Sequence, residues 1–162
     1  MPTFSTAGSK VYIGTVMEDD DDDLVAADFT GVTWTEIGRT TTLGSFGDQA
    51  NPIESSYIDR SRVQKRKGVR NSGNLELAMD IDTNDAGQLA LIAAEKSPAN
   101  YAFKVELNDA PATGTSPKPS QRLFIGLVMT ASEELGEADS MAKLNCQIAI
   151  NSNIVRVAAS AS

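Results

Sequence analysis

Two runs of charge are the segments best equipped for chemistry. Glu18 is followed by five aspartates in succession, Asp19, Asp20, Asp21, Asp22 and Asp23, and carboxylate oxygens suit a hard cation such as calcium. A calcium loop of the EF-hand type, however, needs carboxylates at alternate positions, a central glycine and a closing glutamate, and none of these follows. Like-charge repulsion keeps such a run out of a paired strand, so a solvated loop is expected; use of this loop, Glu18 to Asp23, for a cation or a basic partner is the alternative reading. Arg60, Arg62, Lys65, Arg66, Lys67 and Arg70 place six of the fourteen basic residues within eleven positions. Tyr57 is the one aromatic neighbour, so the base-stacking platform of a single-strand binder is missing, and a formal net charge of −8 opposes general binding to phosphates. The basic run reads as a solvated loop or, better, as a surface that docks on an acidic patch of a second copy. Both the Glu18 to Asp23 run and the group Glu133, Glu134, Glu137 and Asp139 offer such a patch. Opposite charges segregated along one chain suit head-to-tail contacts, which close into rings or extend into filaments.

The usual instruments of catalysis are scarce. The chain has no histidine, which removes the commonest general acid or base near neutral pH and the commonest transition-metal ligand. Cys146 is the single cysteine, so neither an internal disulfide nor a cysteine-based zinc cage can form; its apolar strand pattern marks it as a small buried residue. Gly44-Ser-Phe-Gly47 lacks the lysine and serine of a phosphate loop. Carboxylate pairs across a cleft always arise among 22 acidic residues, which is abundance and not a motif. No catalytic residue, cofactor or metal ligand is assigned, and the chain is expected not to be an enzyme.

The elements that must position these charges come mostly as strands. Residues 10–17 read as a first strand, and residues 31–37 alternate, with Val32 and Trp34 on one face and Trp34 as a packing anchor. Residues 40–74 are polar and poor in apolar side chains. A connection of this length is commonly functional or disordered, and here it reads as a long β-hairpin or arm that is ordered only against another subunit. Leu75, Leu77, Met79 and Ile81 lie at strict period two, with Glu76 and Asp80 on the opposite face. Asp85 followed by Gln88 resembles a capping box, and Leu89, Ile92 and Ala93 give a helical stripe that ends at Ser97-Pro98, so a helix is expected over about residues 84–96. Residues 101–107 alternate again, Pro111, Gly114, Pro117 and Pro119 mark an exposed loop, and residues 122–130 are apolar on both faces. Residues 131–140 read as a polar turn or a single helical turn, residues 142–150 as a strand, and residues 154–158 as a last short strand. Six or seven strands with one helix, lacking a βαβ rhythm, predict a mainly β fold: an antiparallel β-sandwich or barrel with one flanking α-helix and a long polar arm. The first ten residues do not form a secretory signal pattern, and the apolar runs fall far short of the ~20 residues that span a bilayer. Synthesis in the cytoplasm, without membrane insertion by this chain, is therefore expected.

Several landmarks occur in a familiar order: Gly31-Val-Thr-Trp-Thr-Glu-Ile-Gly38, the arm with Tyr57-Ile-Asp59, Lys67-Gly-Val-Arg-Asn-Ser-Gly73, the strand from Leu75 to Asp80, Asp85-Ala-Gly-Gln-Leu-Ala-Leu91 and Tyr101-Ala-Phe-Lys-Val105. Across residues 30–107 the chain resembles the major tail tube proteins of long-tailed double-stranded-DNA bacteriophages, whose fold is shared with contractile tails, gene transfer agents, bacteriocin-like particles and secretion machines. The resemblance implies a single tail-tube domain over residues 1–162, divided into N-terminal strands with the acidic loop (10–38), the arm (40–74) and the sandwich strands with the helix (75–158). No additional C-terminal immunoglobulin-like domain is expected. It further implies six copies per ring and rings stacked into a hollow virion tail through which double-stranded DNA passes without specific binding. Tape-measure and tail terminator or initiator proteins are the implied partners. Strands of six subunits would join in an inner barrel with an acidic lumen, for which Glu76 and Asp80 are candidates, and the arm, with Arg60, Arg62, Lys65, Arg66, Lys67 and Arg70, would reach the adjacent subunit or ring.

Overall fold

The computed structural model describes residues 3–18 and 23–161, so Asp19, Asp20, Asp21 and Asp22 of the acidic run lie outside the described residues. Among the described residues the strands are, in chain order, β1 (Lys10–Val16), β2 (Thr35–Ile37), β3 (Thr40–Thr42), β4 (Gln49–Ser55), β5 (Gln64–Asn71), β6 (Asn74–Asp80), β7 (Tyr101–Glu106), β8 (Gln121–Glu134), β9 (Lys143–Ile150) and β10 (Val155–Val157). Helix α1 (Ala86–Lys96) follows β6, and one 3-10 turn (Ala26–Phe29) precedes β2. The main sheet runs β2-β1-β7-β8-β9-β6-β3, with β10 also on β8, and β4 and β5 form a separate two-stranded hairpin. Every pairing is antiparallel, as expected of a fold without crossover helices.

Period-two patterning decides which face each strand buries. Strand β6 buries Leu75, Leu77 and Met79, and β9 buries Leu144, Cys146, Ile148 and Ile150. These meet Val11 and Ile13 of β1, Phe103 and Val105 of β7, and Phe124 and Val128 of β8 in one core, so the sheet folds over on itself in the manner of a sandwich. Phe103 and Phe124 stack at its centre, 5.7 Å between ring centroids. The first half of β8 is apolar on both faces because both are covered. Leu123 and Ile125 turn away from the main core into a second cluster with Leu24, Phe29, Ala102 and Val155, where Trp34 stacks on Phe29 at 6.4 Å.

Strand β8 makes the corner. A Cβ on Gly126 would come within 2.6 Å of Ile148 Cγ2 and 2.9 Å of the Ala149 carbonyl oxygen, so only glycine lets β9 approach so closely. Three residues on, the pairing with β9 slips between Val128 and Thr130. A bulge of this kind bends the strand and flips its alternation: Phe124 and Val128 point inward before it, Ala131 after it. The sequence expectation of a turn over residues 131–140 is corrected here, since β8 continues as a strand to Glu134. The expected strand over residues 31–37 is likewise shorter, its first half being a turn that lets Val32 and Trp34 pack on the second cluster.

Helix α1 packs on β8, β2 and β1 and buries Gly87, Gln88, Leu91 and Ala94. Leu89 and Ala93 of the expected stripe turn outward, Leu89 to 53% exposure, whereas Ile92 is half-buried against the core as expected. The cap also differs in one leg. The Asp85 carboxylate accepts from the Gln88 amide (3.0 Å) as expected, but the Gln88 side chain does not reach back to Asp85. Its Oε1 accepts from the Asp82 amide (2.9 Å), and its Nε2 donates to the carbonyls of Gly38 (3.2 Å) and Asp80 (2.8 Å). This buried glutamine ties the helix to the ends of β2 and β6, and so fixes where β3 begins.

Candidate functional site

The feature of the fold without an internal explanation is a four-stranded layer made of β3, β6, β9 and the second half of β8. Residues paired across antiparallel strands share a face, so the registers define its outer surface row by row. Glu134, Lys143 and Asp80 form one row; Ser132, Asn145, Ala78 and Thr42 the next; Thr130, Gln147 and Glu76 a third; Ala149 and Asn74 close it. The two acidic residues singled out by the sequence, Glu76 and Asp80, therefore lie on the same face. Register alone adds Glu134 and Lys143, which no local pattern marks. Glu76, Asp80 and Glu134 against Lys143 leave this surface acidic and otherwise built of small or uncharged polar groups.

Both margins of this layer end without a strand partner among the described residues. Strand β3 is the last of the sheet order, held to β6 by register and by the Thr41 hydroxyl, which donates to the Ala78 carbonyl (3.1 Å). On the far side β7 leaves β8 at Gly126, while β8 runs on to Glu134 with β9 along one edge alone. Residues 129–134 thus carry an open edge of unpaired backbone groups, which invites pairing with another chain.

The arm is the second such feature. Strands β4 and β5 pair from Gln49 with Asn71 to Ser55 with Gln64, and their apolar side chains reach neither buried cluster of the body. Ile53, Tyr57, Ile58, Val63 and Val69 are all exposed. A lone two-stranded hairpin is marginal in water. Its root is anchored: Arg70 pairs with Asp48 at 2.9 Å, and the Ser72 hydroxyl contacts Asp48 and the Ser152 carbonyl. Of the six basic residues from the sequence, Lys65 also has a partner, Glu54 at 3.6 Å. Arg60, Arg62, Arg66 and Lys67 are exposed and make no ion pair among the described residues. The structure brings Lys65, Arg66, Lys67 and Arg70 together on β5, with Arg60 and Arg62 in the connection beyond it, and keeps all six apart from Glu76 and Asp80.

The perturbed titrating groups lie elsewhere. Burial pushes the Cys146 thiol up to about 11. Burial, with the Glu106 and Glu36 charges, pushes Tyr12 up to about 12, beside Lys104, whose ammonium sits 4.3 Å from the Tyr12 ring centroid, 5.0 Å from that of Trp34 and 3.4 Å from Glu106. Hydrogen bonds from Ser120 hold Asp109 below its ordinary value and tie down the end of the proline-rich loop. Among the described residues no group of three potential ligands is placed to hold a metal.

A folded-over antiparallel sheet with one flanking helix, a projecting hairpin and two open margins defines the class of fold. No protein-family model matches the sequence, and no curated protein matches it. Solved structures do. A chain of the anti-feeding prophage baseplate, 6-fold symmetrised, superposes with a TM-score of 0.68 at 9% identity, covering 98% of both chains. A chain of the extended sheath/tube terminator of the PVC extracellular contractile injection system gives 0.68 at 11% identity over 98% of this chain and 99% of its own. The SPP1 tail tube gives 0.64 at 10% identity, over 93% and 76%. The chain has the tail tube fold.

Proposed function

We propose that the chain is a structural, non-enzymatic subunit of a virion tail tube, in which six copies close a ring and rings stack into a conduit for double-stranded DNA. The observation that carries this reading is the four-stranded layer with a polar outer face and, among the described residues, no strand partner at either margin. Pairing β3 of one copy with residues 129–134 of the next joins two different surfaces, the heterologous contact that closes into a ring. Six copies supply roughly 24 strands; at normal strand spacing and barrel tilt the backbone diameter is about 45–50 Å. Such a barrel cannot be filled by side chains and leaves a channel. The polar face then lines it, and Glu76, Asp80 and Glu134 repel phosphates rather than retain them.

Residues 1–162 act in this reading as one tail-tube domain, with the arm and its six basic residues, Arg60, Arg62, Lys65, Arg66, Lys67 and Arg70, in contacts between subunits or rings. A tape-measure protein in the lumen and terminator or initiator proteins at the ends are the fitting partners. Electron microscopy of the purified chain, with sedimentation over a range of concentration, tests the proposal. Hollow tubes or six-fold rings are expected, and a strictly monomeric species at high concentration would overturn it.

A further inference from the structure

We propose that the basic arm of one copy docks on the β8–β9 hairpin tip, residues 132–141, of the copy stacked next along the strand direction. This deepens the tube reading and rests on it. The sheet register puts the two surfaces at opposite poles. At one pole Asn74, directly after the arm, pairs with Ala149, and the arm root is fastened to Ser152 through Ser72. At the other, Asp80 pairs with Lys143 and Lys143 with Glu134, so the hairpin tip lies seven residues of β6 away, about 20 Å along the strands. Translating one copy onto the next along this direction brings the arm of the first against the tip of the second.

The chemistry of the two surfaces matches. From Arg60 to Arg70 the arm has six basic residues and no acidic one, whereas residues 132–141 hold Glu133, Glu134, Glu137 and Asp139 and no basic one. All residues from 132 to 141 are exposed, and none of these four carboxylates makes an ion pair among the described residues. Both surfaces also show unburied apolar groups: Leu135 and Met141 at the tip are 64% and 68% exposed, and Tyr57, Ile58 and Val63 lie at the end of the arm. Charge complementarity sets the register, and burial of these side chains holds the contact.

Charge reversal tests the contact. The arm variant R60E/R62E/R66E/K67E and the tip variant E137K/D139K, which leaves the open edge at residues 129–134 unaltered, are compared with the sixfold combination, which brings opposite signs together again. Circular dichroism verifies folding, and elongation is followed by light scattering and electron microscopy. Each single-surface variant is expected to elongate at least about 100-fold more slowly, because like charges then face each other, while still forming rings. The combined chain is expected to form tubes again. A tip variant that grows tubes like the unaltered chain, or a folded combined chain that stays as blocked as the arm variant, overturns the docking. Tubes from the unaltered chain in the same experiment leave the tube reading standing in either case; their absence removes both.

Discussion

Gln88 is the side chain on which the position of the open β3 margin depends, and replacing it with methionine isolates its hydrogen bonds. Methionine matches its length and is tolerated in a helix, so packing volume and helix propensity change little. Three bonds disappear: to the Gly38 carbonyl (3.2 Å), to the Asp80 carbonyl (2.8 Å) and from the Asp82 amide (2.9 Å). Gln88 is 2% exposed, while the three backbone partners belong to half-buried residues that water can partly reach. Each bond is therefore assigned the middle value of about 1 kcal/mol, giving about 3 kcal/mol in total. For a chain of this size that lowers Tm by about 6–12 °C. Thermal melting of the dispersed protein by circular dichroism, with urea titration at constant m, reads the effect. Leu89→Ala is the matched control: Leu89 points outward despite its place in the expected apolar stripe, so its loss is expected to cost less than about 0.5 kcal/mol. A Q88M protein melting within about 2 °C of the unaltered chain, or an L89A protein as damaged as Q88M, would refute the assignment of the helix face.

Gly126→Val inserts a branched side chain where even a Cβ meets Ile148 and the Ala149 carbonyl; a loss of about 1–3 kcal/mol is expected in urea unfolding. Cys146 is 3% exposed and its thiol is pushed up to about 11, so a thiol-reactive dye at pH 8 is expected to label the unfolded chain and leave the folded one unlabelled. Asp109 is held below its ordinary 3.8, first by the Ser120 hydroxyl and then by the Ser120 amide. A carboxylate with a lowered folded value stabilises fully above its unfolded value and loses that contribution as pH falls through the folded one. D109N is therefore expected to flatten the decline of Tm between pH 4 and 2, and an unchanged decline would contradict the assignment.

The strands were legible wherever one face is buried. Leu75, Leu77 and Met79, or Leu144, Cys146 and Ile148, carry their structure in a period of two because the opposite face meets solvent. Strand β8 hid its length because the bulge at Met129 reverses the alternation: Phe124 and Val128 point inward, then Ala131, and a pattern read locally ends at the slip. The helix was legible from Asp85 and its capping bond, but its buried face was not. Gln88, a polar residue in a core position, displaced the apparent apolar stripe, and only the turns at residues 38 and 80–82, distant in sequence or bent around the helix start, explain why a glutamine belongs there. For the candidate site, the sequence marked Glu76, Asp80 and the six basic residues. It could not show that Glu134 and Lys143 join the same face, because that follows from pairing between strands more than fifty residues apart. Nor could it show that the arm root and the acidic tip occupy opposite poles, since direction along β6 and β9 exists only once the register is fixed.

Amide hydrogen exchange on dispersed and assembled protein, read at residues 40–42 and 129–134, tests the central claim most directly. Pairing of the open margins between copies predicts fast exchange at the outward-facing amides of both segments in dispersed protein and strong protection at them, together, in tubes. Exchange at these amides that stays as fast in the assembled state as in the dispersed one would contradict it.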